Sequence, residues 1–220
     1  MAAIFDMDGL LLDTDPLIWL ESMHQVASDR QVEVTTDLLQ HTKGLRIYEV
    51  TGFWNDHFGW NDADKARQMA EDILDTVISL AHQKGKVLPG VIDLLEQFKT
   101  EKIAIGLATS SPRRLVDSLL DVFGLKHYFD CISTADNCGM GKPHPEVYLN
   151  CAAAMSVLPW RCVAFEDSVN GMVAAKAARM QVVVVPEAAH DKDPRFGLAD
   201  MSLESLESFT LEDYYRLLAI

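Results

Sequence analysis

No run of apolar residues in the chain reaches the roughly 20 that a membrane-spanning helix needs. A membrane is therefore not expected as a partner. Basic residues are scarce: 19 Lys and Arg stand against 33 Asp and Glu, a formal net charge of −14. A nucleic-acid backbone or an anionic lipid surface needs a basic face, so neither is expected to bind. A small anionic ligand is not excluded, provided that a metal ion or a few Lys and Arg supply local positive charge. Cysteine is sparse and unpatterned. Cys131, Cys138, Cys151 and Cys162 form no CxxC or zinc spacing and read as free thiols in a reducing cytosol. Met1 runs into Ala2-Ala3-Ile4-Phe5 with no basic n-region, and a cytoplasmic protein is expected. There is neither an internal repeat nor a low-complexity tract, which excludes solenoid and fibrous architectures.

Apolar residues, in contrast, make up 49 % of the 220 residues, ample for a packed core. The short run Ala2 to Phe5 reads as a buried strand ending at Asp6-Met7-Asp8-Gly9. From Asp15 the pattern becomes helical. Asp15-Pro16 is a helix start, followed by Leu17, Leu20, Met23 and Ala27 at helical spacing. Thr36-Asp37 is a second start, and a long helix is predicted from Asn61 to about Lys84. No strand is predicted here. After Leu88-Pro89-Gly90, helices and strands alternate. Strands are predicted at Ile103 to Ala108, Cys131 to Ser133, Cys162 to Phe165 and Val182 to Val185. Helices are predicted at 91–100, 112–123, 145–155, 168–179 and from 203 onward. This order implies an α/β fold: a parallel sheet with helices on both faces, built from 1–14 and 88–220, with a helical insert at 15–87.

In such sheets ligands sit at the carboxyl ends of the strands. Four polar clusters fall there: Asp6-Met7-Asp8-Gly9, Thr109-Ser110-Ser111, Gly141-Lys142-Pro143 and Glu166-Asp167-Ser168. Taken singly, each has a plainer reading as a turn, a helix cap or a solvated lysine. Together they converge on one crevice. Asp6 and Asp8, two apart in extended backbone, face the same side, and such crowded carboxylates call for a cation. A hard divalent ion, Mg²⁺, fits a site that also takes phosphate, with Asp167 adding a further oxygen. One carboxylate of the pair can attack phosphorus, and the other can move a proton to and from oxygen. Lys142 would neutralise phosphoryl charge. Thr109 and Ser110 would donate hydrogen bonds beside the helix start at Pro112.

Phe5-Asp6-Met7-Asp8-Gly9, Thr109-Ser110-Ser111-Pro112, Gly141-Lys142-Pro143-His144-Pro145-Glu146 and Phe165-Glu166-Asp167-Ser168 resemble, in order, the four motifs of the haloacid dehalogenase superfamily. The match runs over essentially the whole chain. Glu166 to Met172, Lys176-Ala177-Ala178 and Thr42-Lys43-Gly44-Leu45-Arg46 resemble in particular the bacterial hexitol phosphatase and 2-deoxyglucose-6-phosphatase group, close to β-phosphoglucomutase-like proteins. The resemblance implies a Rossmann-like core with the insert as a mobile cap. It implies Asp6 as nucleophile and Asp8 as general acid/base. It also implies Mg²⁺ held by Asp6, the backbone carbonyl of Asp8, and Asp167, with Glu166 as extra ligand or support. Thr109, Ser110 and Lys142 would bind phosphate. Gly44 and Arg46 from the cap, and Asn170 beside the core motif, are further substrate-binding candidates. The implied activity is hydrolysis of a small phosphorylated metabolite, a sugar or polyol phosphate, by a monomer.

Within that resemblance, rival chemistries are distinguishable. Dehalogenation needs no second carboxylate at Asp8. Related mutases carry a His twelve residues after the nucleophile, where this chain has Ile18. A silent sugar-phosphate-binding protein is the alternative of another class, and it has no need of an intact motif set.

Overall fold

The computed structural model describes residues 1–14, 16–42, 45–186 and 193–218. The chain divides into two compact units, 1–13 with 86–220, and 14–85.

The first unit is built on a six-stranded, fully parallel sheet: β1 (Ala2–Phe5), β2 (Ala104–Ala108), β3 (Cys131–Ser133), β4 (Cys162–Glu166), β5 (Gln181–Val184) and β6 (Met201–Ser202). Its order is β3-β2-β1-β4-β5-β6. The order reverses about β1, so β1 and β4 flank the switch point at which a doubly wound sheet opens a crevice. Every residue of β1 and β4 is buried, as a strand covered on both faces requires.

The two faces separate by the period of two. Ala2, Ile4, Ala108, Ala164, Val182 and Val184 pack with Tyr148, Cys151, Met172 and Ala175. Those partners lie on α7 (Glu146–Ala154) and α8 (Val169–Ala177). On the other face Phe5 stacks on Phe165 with ring centroids 4.5 Å apart. Phe98 of α5 (Val91–Thr100) and Tyr214 of α9 (Leu211–Leu218) meet there at 5.1 Å. Burying one such ring contributes about 1.5–3 kcal/mol. A fifth α-helix of this unit, α6 (Arg113–Val122), follows β2.

The second unit is helical: α1 (Pro16–Asp29), α2 (Thr36–His41), α3 (Ile47–His57) and α4 (Ala63–Lys84). No strand occurs among its described residues. α4 starts where Asp62 accepts a hydrogen bond from the Lys65 N–H, and it buries Met69, Ile73, Leu74 and Val77.

The sheet and the alternating order are those anticipated. Several local expectations need correction. On α1 the buried stripe is Ile18, Ser22, Val26 and Ala27, whereas Leu17 and Leu20 are exposed. Ser22 enters that stripe because its hydroxyl donates back to the Ile18 carbonyl at 2.7 Å. Helix α3 was not anticipated. β5 starts at Gln181 and ends before Val185, and β6, two residues long, carries no pattern that periodicity detects.

Candidate active site

Parallel register brings the strand ends level. Phe5 pairs with Phe165 and Leu107, and Ala108 pairs with Ser133. The residues just beyond them, Asp6, Thr109 and Asp167, therefore leave the sheet along one edge. Asp6 stays locked to β4 by donating its N–H to the Phe165 carbonyl at 3.0 Å. The chain then turns sharply, and the Met7 carbonyl accepts from Leu11 and Leu12. Gly9 makes that turn at φ +78°, and a Cβ there would meet Asp167 Oδ2 at 2.3 Å. Glycine is thus what lets the first motif lie against the fourth.

The charged centre is a buried chain. Lys142 Nζ donates to Asp6 Oδ1 at 2.9 Å and to Glu166 Oε1 at 2.6 Å. Its side chain is only 6 % exposed, against 11 % for Asp6 and 0 % for Glu166. Glu166 Oε1 also accepts from the Tyr148 hydroxyl at 2.6 Å. Its Oε2 accepts from the Asp167 and Ser168 N–H groups and from the Ser168 hydroxyl, at 3.1 to 3.3 Å. Gly171 makes room for this carboxylate, since a Cβ there would fall 1.7 Å from Oε1. Among the described residues, none other than Asp167 itself donates to the Asp167 carboxylate.

Asp8 is held separately. Ser111 Oγ donates to Asp8 Oδ2 at 2.6 Å, and the Ser111 N–H donates to Thr109 Oγ1 at 3.1 Å. Ser110, half-exposed, makes no hydrogen bond through its hydroxyl or its N–H among the described residues.

These contacts set the electrostatics. Burial pushes the Asp6 carboxyl up to about 7 against the opposing charge of Lys142, with Glu166 and Asp8 adding like charge. Asp167 is held well above the usual carboxylate range, first by burial and then by Glu166 and Asp6. Burial alone would lower Lys142, but Asp6 and Glu166 outweigh it and keep the ammonium charged. Asp6, Glu166 and Asp167 thus set three carboxylates against one lysine, so the site lacks positive charge.

A divalent cation fits this donor set. Ligand oxygens of Asp6, Glu166 and Asp167 lie within 4.8 Å of one another. Of these, Glu166 already takes five donors on its two oxygens. The open oxygens belong to Asp6 and Asp167.

A family model for haloacid dehalogenase-like hydrolases matches residues 3–185. The chain belongs to that family. It is 42 % identical over 214 residues to hexitol phosphatase B of Escherichia coli K12, covering 97 % of this chain and 96 % of the other. It is 34 % identical over 188 residues to the phosphorylated carbohydrates phosphatase of Thermotoga maritima, covering 82 % of each. Among solved structures, β-phosphoglucomutase from Clostridium difficile superposes with a TM-score of 0.82 at 26 % identity, over 99 % of this chain and 96 % of that one.

As a hydrolase of this family, the chain gathers Asp6, Asp8, Thr109, Lys142, Glu166 and Asp167 at one sheet edge, with Ser110 next to Thr109. Asn170 lies exposed in the first turn of α8 and makes no side-chain hydrogen bond among the described residues; the residue that caps α8 is Ser168, whose hydroxyl accepts from the Gly171 N–H at 3.0 Å. Arg46 belongs to the helical unit, where it opens α3 and donates to Glu49 at 2.6 Å. Gly44 lies outside the described residues. Three contributors escaped the sequence reading. Ser111, not Ser110, grips Asp8. Tyr148 and Gly171 shape the Glu166 carboxylate. Only Ser111 carried a signal, as part of the hydroxyl cluster after β2.

Proposed function

We propose that the chain is a Mg²⁺-dependent phosphatase of small sugar or polyol phosphates that works through an aspartyl-phosphate on Asp6. The observation that carries this reading is the lysine-bridged pair Asp6–Lys142–Glu166 lying beside Asp167. An oxygen of Asp6 attacks phosphorus as the bond to the sugar oxygen breaks. Asp8, held through one oxygen by Ser111, gives its proton to the departing oxygen. It then takes a proton from the water that attacks the phospho-Asp6, releasing phosphate and restoring the carboxylate. Lys142 stabilises phosphoryl charge, and Thr109 and Ser110 supply hydrogen bonds to its oxygens. Asp6 and Asp167, with the Asp8 carbonyl, would hold Mg²⁺. Bound there, the ion would screen the attacking carboxylate from the phosphate dianion.

Substrate class follows the relatives. Likeness to a hexitol phosphatase and a carbohydrate phosphatase puts hexitol and hexose phosphates first. Gly44, Arg46 and Asn170 remain candidates for contacts with the sugar. The position where related mutases carry their histidine holds Ile18, an apolar side chain buried in the helical unit, which favours hydrolysis over phosphoryl return. The test is a phosphate-release screen over hexitol 6-phosphates, 2-deoxyglucose 6-phosphate and other hexose phosphates, with and without Mg²⁺. Mg²⁺-dependent release from at least one ester supports the reading. An isomeric sugar phosphate as the sole product, or binding without turnover, overturns it.

A further inference from the structure

Tyr148 is a buried side chain that touches the charged centre without belonging to any of its motifs. It is fully buried on the third position of α7, in a cluster of alanines, cysteines and methionines. A phenylalanine would fill the same volume in that apolar setting. The hydroxyl is therefore the feature to explain, because a buried phenol needs an acceptor. Its acceptor is Glu166 Oε1 at 2.6 Å, the same oxygen that takes Lys142 Nζ at 2.6 Å. The Tyr148 ring also faces the lysine, with Nζ 5.0 Å from the ring centroid. The residue thus meets Lys142 twice, through a shared acceptor and through its π face.

Lysine is a point charge on a flexible four-carbon stem, so its usefulness depends on what fixes it. Three groups fix Nζ here: Asp6, Glu166 and the Tyr148 ring. Glu166 is saturated by donors. We propose that Tyr148 is a positioning residue: by sharing Glu166 Oε1 it limits the pull of that carboxylate on Lys142 and keeps the ammonium against Asp6. Without the phenol, Oε1 is left to the lysine alone. The ammonium then moves toward Glu166 and away from the oxygen that attacks phosphorus. The inference rests on the phosphatase reading, in which Lys142 acts on the phosphoryl group.

The experiment is Tyr148→Phe in the full chain, assayed with Mg²⁺ and the sugar phosphate that the wild type cleaves best. A fall in kcat of about tenfold is expected, with KM within about twofold, because the lost effect belongs to the transition state. Melting is to stay within about 2 °C of wild type. In a Lys142→Ala background the same substitution is to change kcat less than about twofold, because a residue acting through the lysine has nothing left to act on. An unchanged kcat, a rise in KM alone, or equal losses in both backgrounds overturns the proposal. Should Tyr148→Phe not fold, Tyr148→Met fills the apolar pocket without a hydroxyl and must show the same kcat-only loss. If the wild type hydrolyses nothing, the phosphatase reading fails first. A crystal structure of Tyr148→Phe then still decides the positioning claim, which falls if Nζ remains within hydrogen-bond distance of Asp6.

Discussion

Asp6 and Lys142 lie 136 residues apart in sequence and 2.9 Å apart in the fold. Both are almost wholly buried: Asp6 helps to keep the lysine charged, whereas Lys142 only partly offsets the burial that raises the Asp6 carboxyl. An ion pair taken out of water often stabilises less than well-packed apolar groups do. The pair is thus read as machinery rather than as a fold-stabilising contact.

The first expectation concerns the nucleophile. Asp6→Asn keeps the shape and removes the attacking charge. Mg²⁺-dependent phosphate release is expected to fall by at least about a thousandfold. Melting at pH 8 without metal is expected to hold or rise, because a buried charge has gone. Wild-type turnover by this variant rules out covalent catalysis at Asp6.

A second expectation separates metal from protons. The Asp6 carboxyl goes from an ordinary 3.8 to about 7 on folding. Ionising it therefore opposes folding. That contribution is fully favourable below the unfolded value and is lost as pH rises from about 4 to about 7. The metal-free protein should lose stability across this window, and Mg²⁺ should restore it by binding the ionised form. Melting with EDTA and with excess Mg²⁺, at pH 5.5 and pH 8, measures this. The increment from Mg²⁺ should be larger at pH 8. Equal increments at both pH values argue against Asp6 as a ligand.

How much of this was legible beforehand depends on the kind of signal. The doubly wound core was readable because buried parallel strands are short apolar runs, as in Ala2–Phe5 and Cys162–Glu166, separated by helical periods. The main site residues were readable because polar clusters interrupt those runs at the same end of each strand. Leu17 and Leu20 misled because periodicity gives the spacing of a face but not which face is buried. Tyr148 was not readable at all. A tyrosine in a helix looks like core, and its role arises only when α7 is laid beside β4. Gly171 was hidden for the same reason, since its need for a missing Cβ comes from a carboxylate five residues away that folds back over it.

Gly171 yields a prediction in which the sign is diagnostic. In a helix interior Gly→Ala normally stabilises by about 1 kcal/mol. Here the new Cβ would sit 1.7 Å from Glu166 Oε1, and Glu166 is buried and bound to Lys142 and Tyr148. Gly171→Ala should destabilise by about 2 kcal/mol or more, since a buried, hydrogen-bonded charge must be displaced, and it should lower kcat as well. Denaturant unfolding checks the sign. A stabilised, fully active variant means that Glu166 can move without consequence.

The last prediction tests the division of labour between the two aspartates. Ser111 grips Asp8 at 2.6 Å, while Lys142 grips Asp6. Their neighbours thus differ, as residues with different tasks require. If Asp8 protonates the departing oxygen, its loss matters in proportion to how badly that oxygen needs a proton. A sugar alkoxide needs one, whereas p-nitrophenolate does not. Asp8→Asn should therefore lower kcat for the best sugar phosphate by about a hundredfold or more. With p-nitrophenyl phosphate the same variant should still release close to one nitrophenolate per enzyme in a rapid first phase. Turnover then stalls, because the aspartyl-phosphate on Asp6 also needs Asp8 to take a proton from water. Rapid-quench mixing resolves the two phases. Equal losses with both esters and no first phase would show that Asp8 serves attack rather than departure, and the roles assigned to the pair would have to be redrawn.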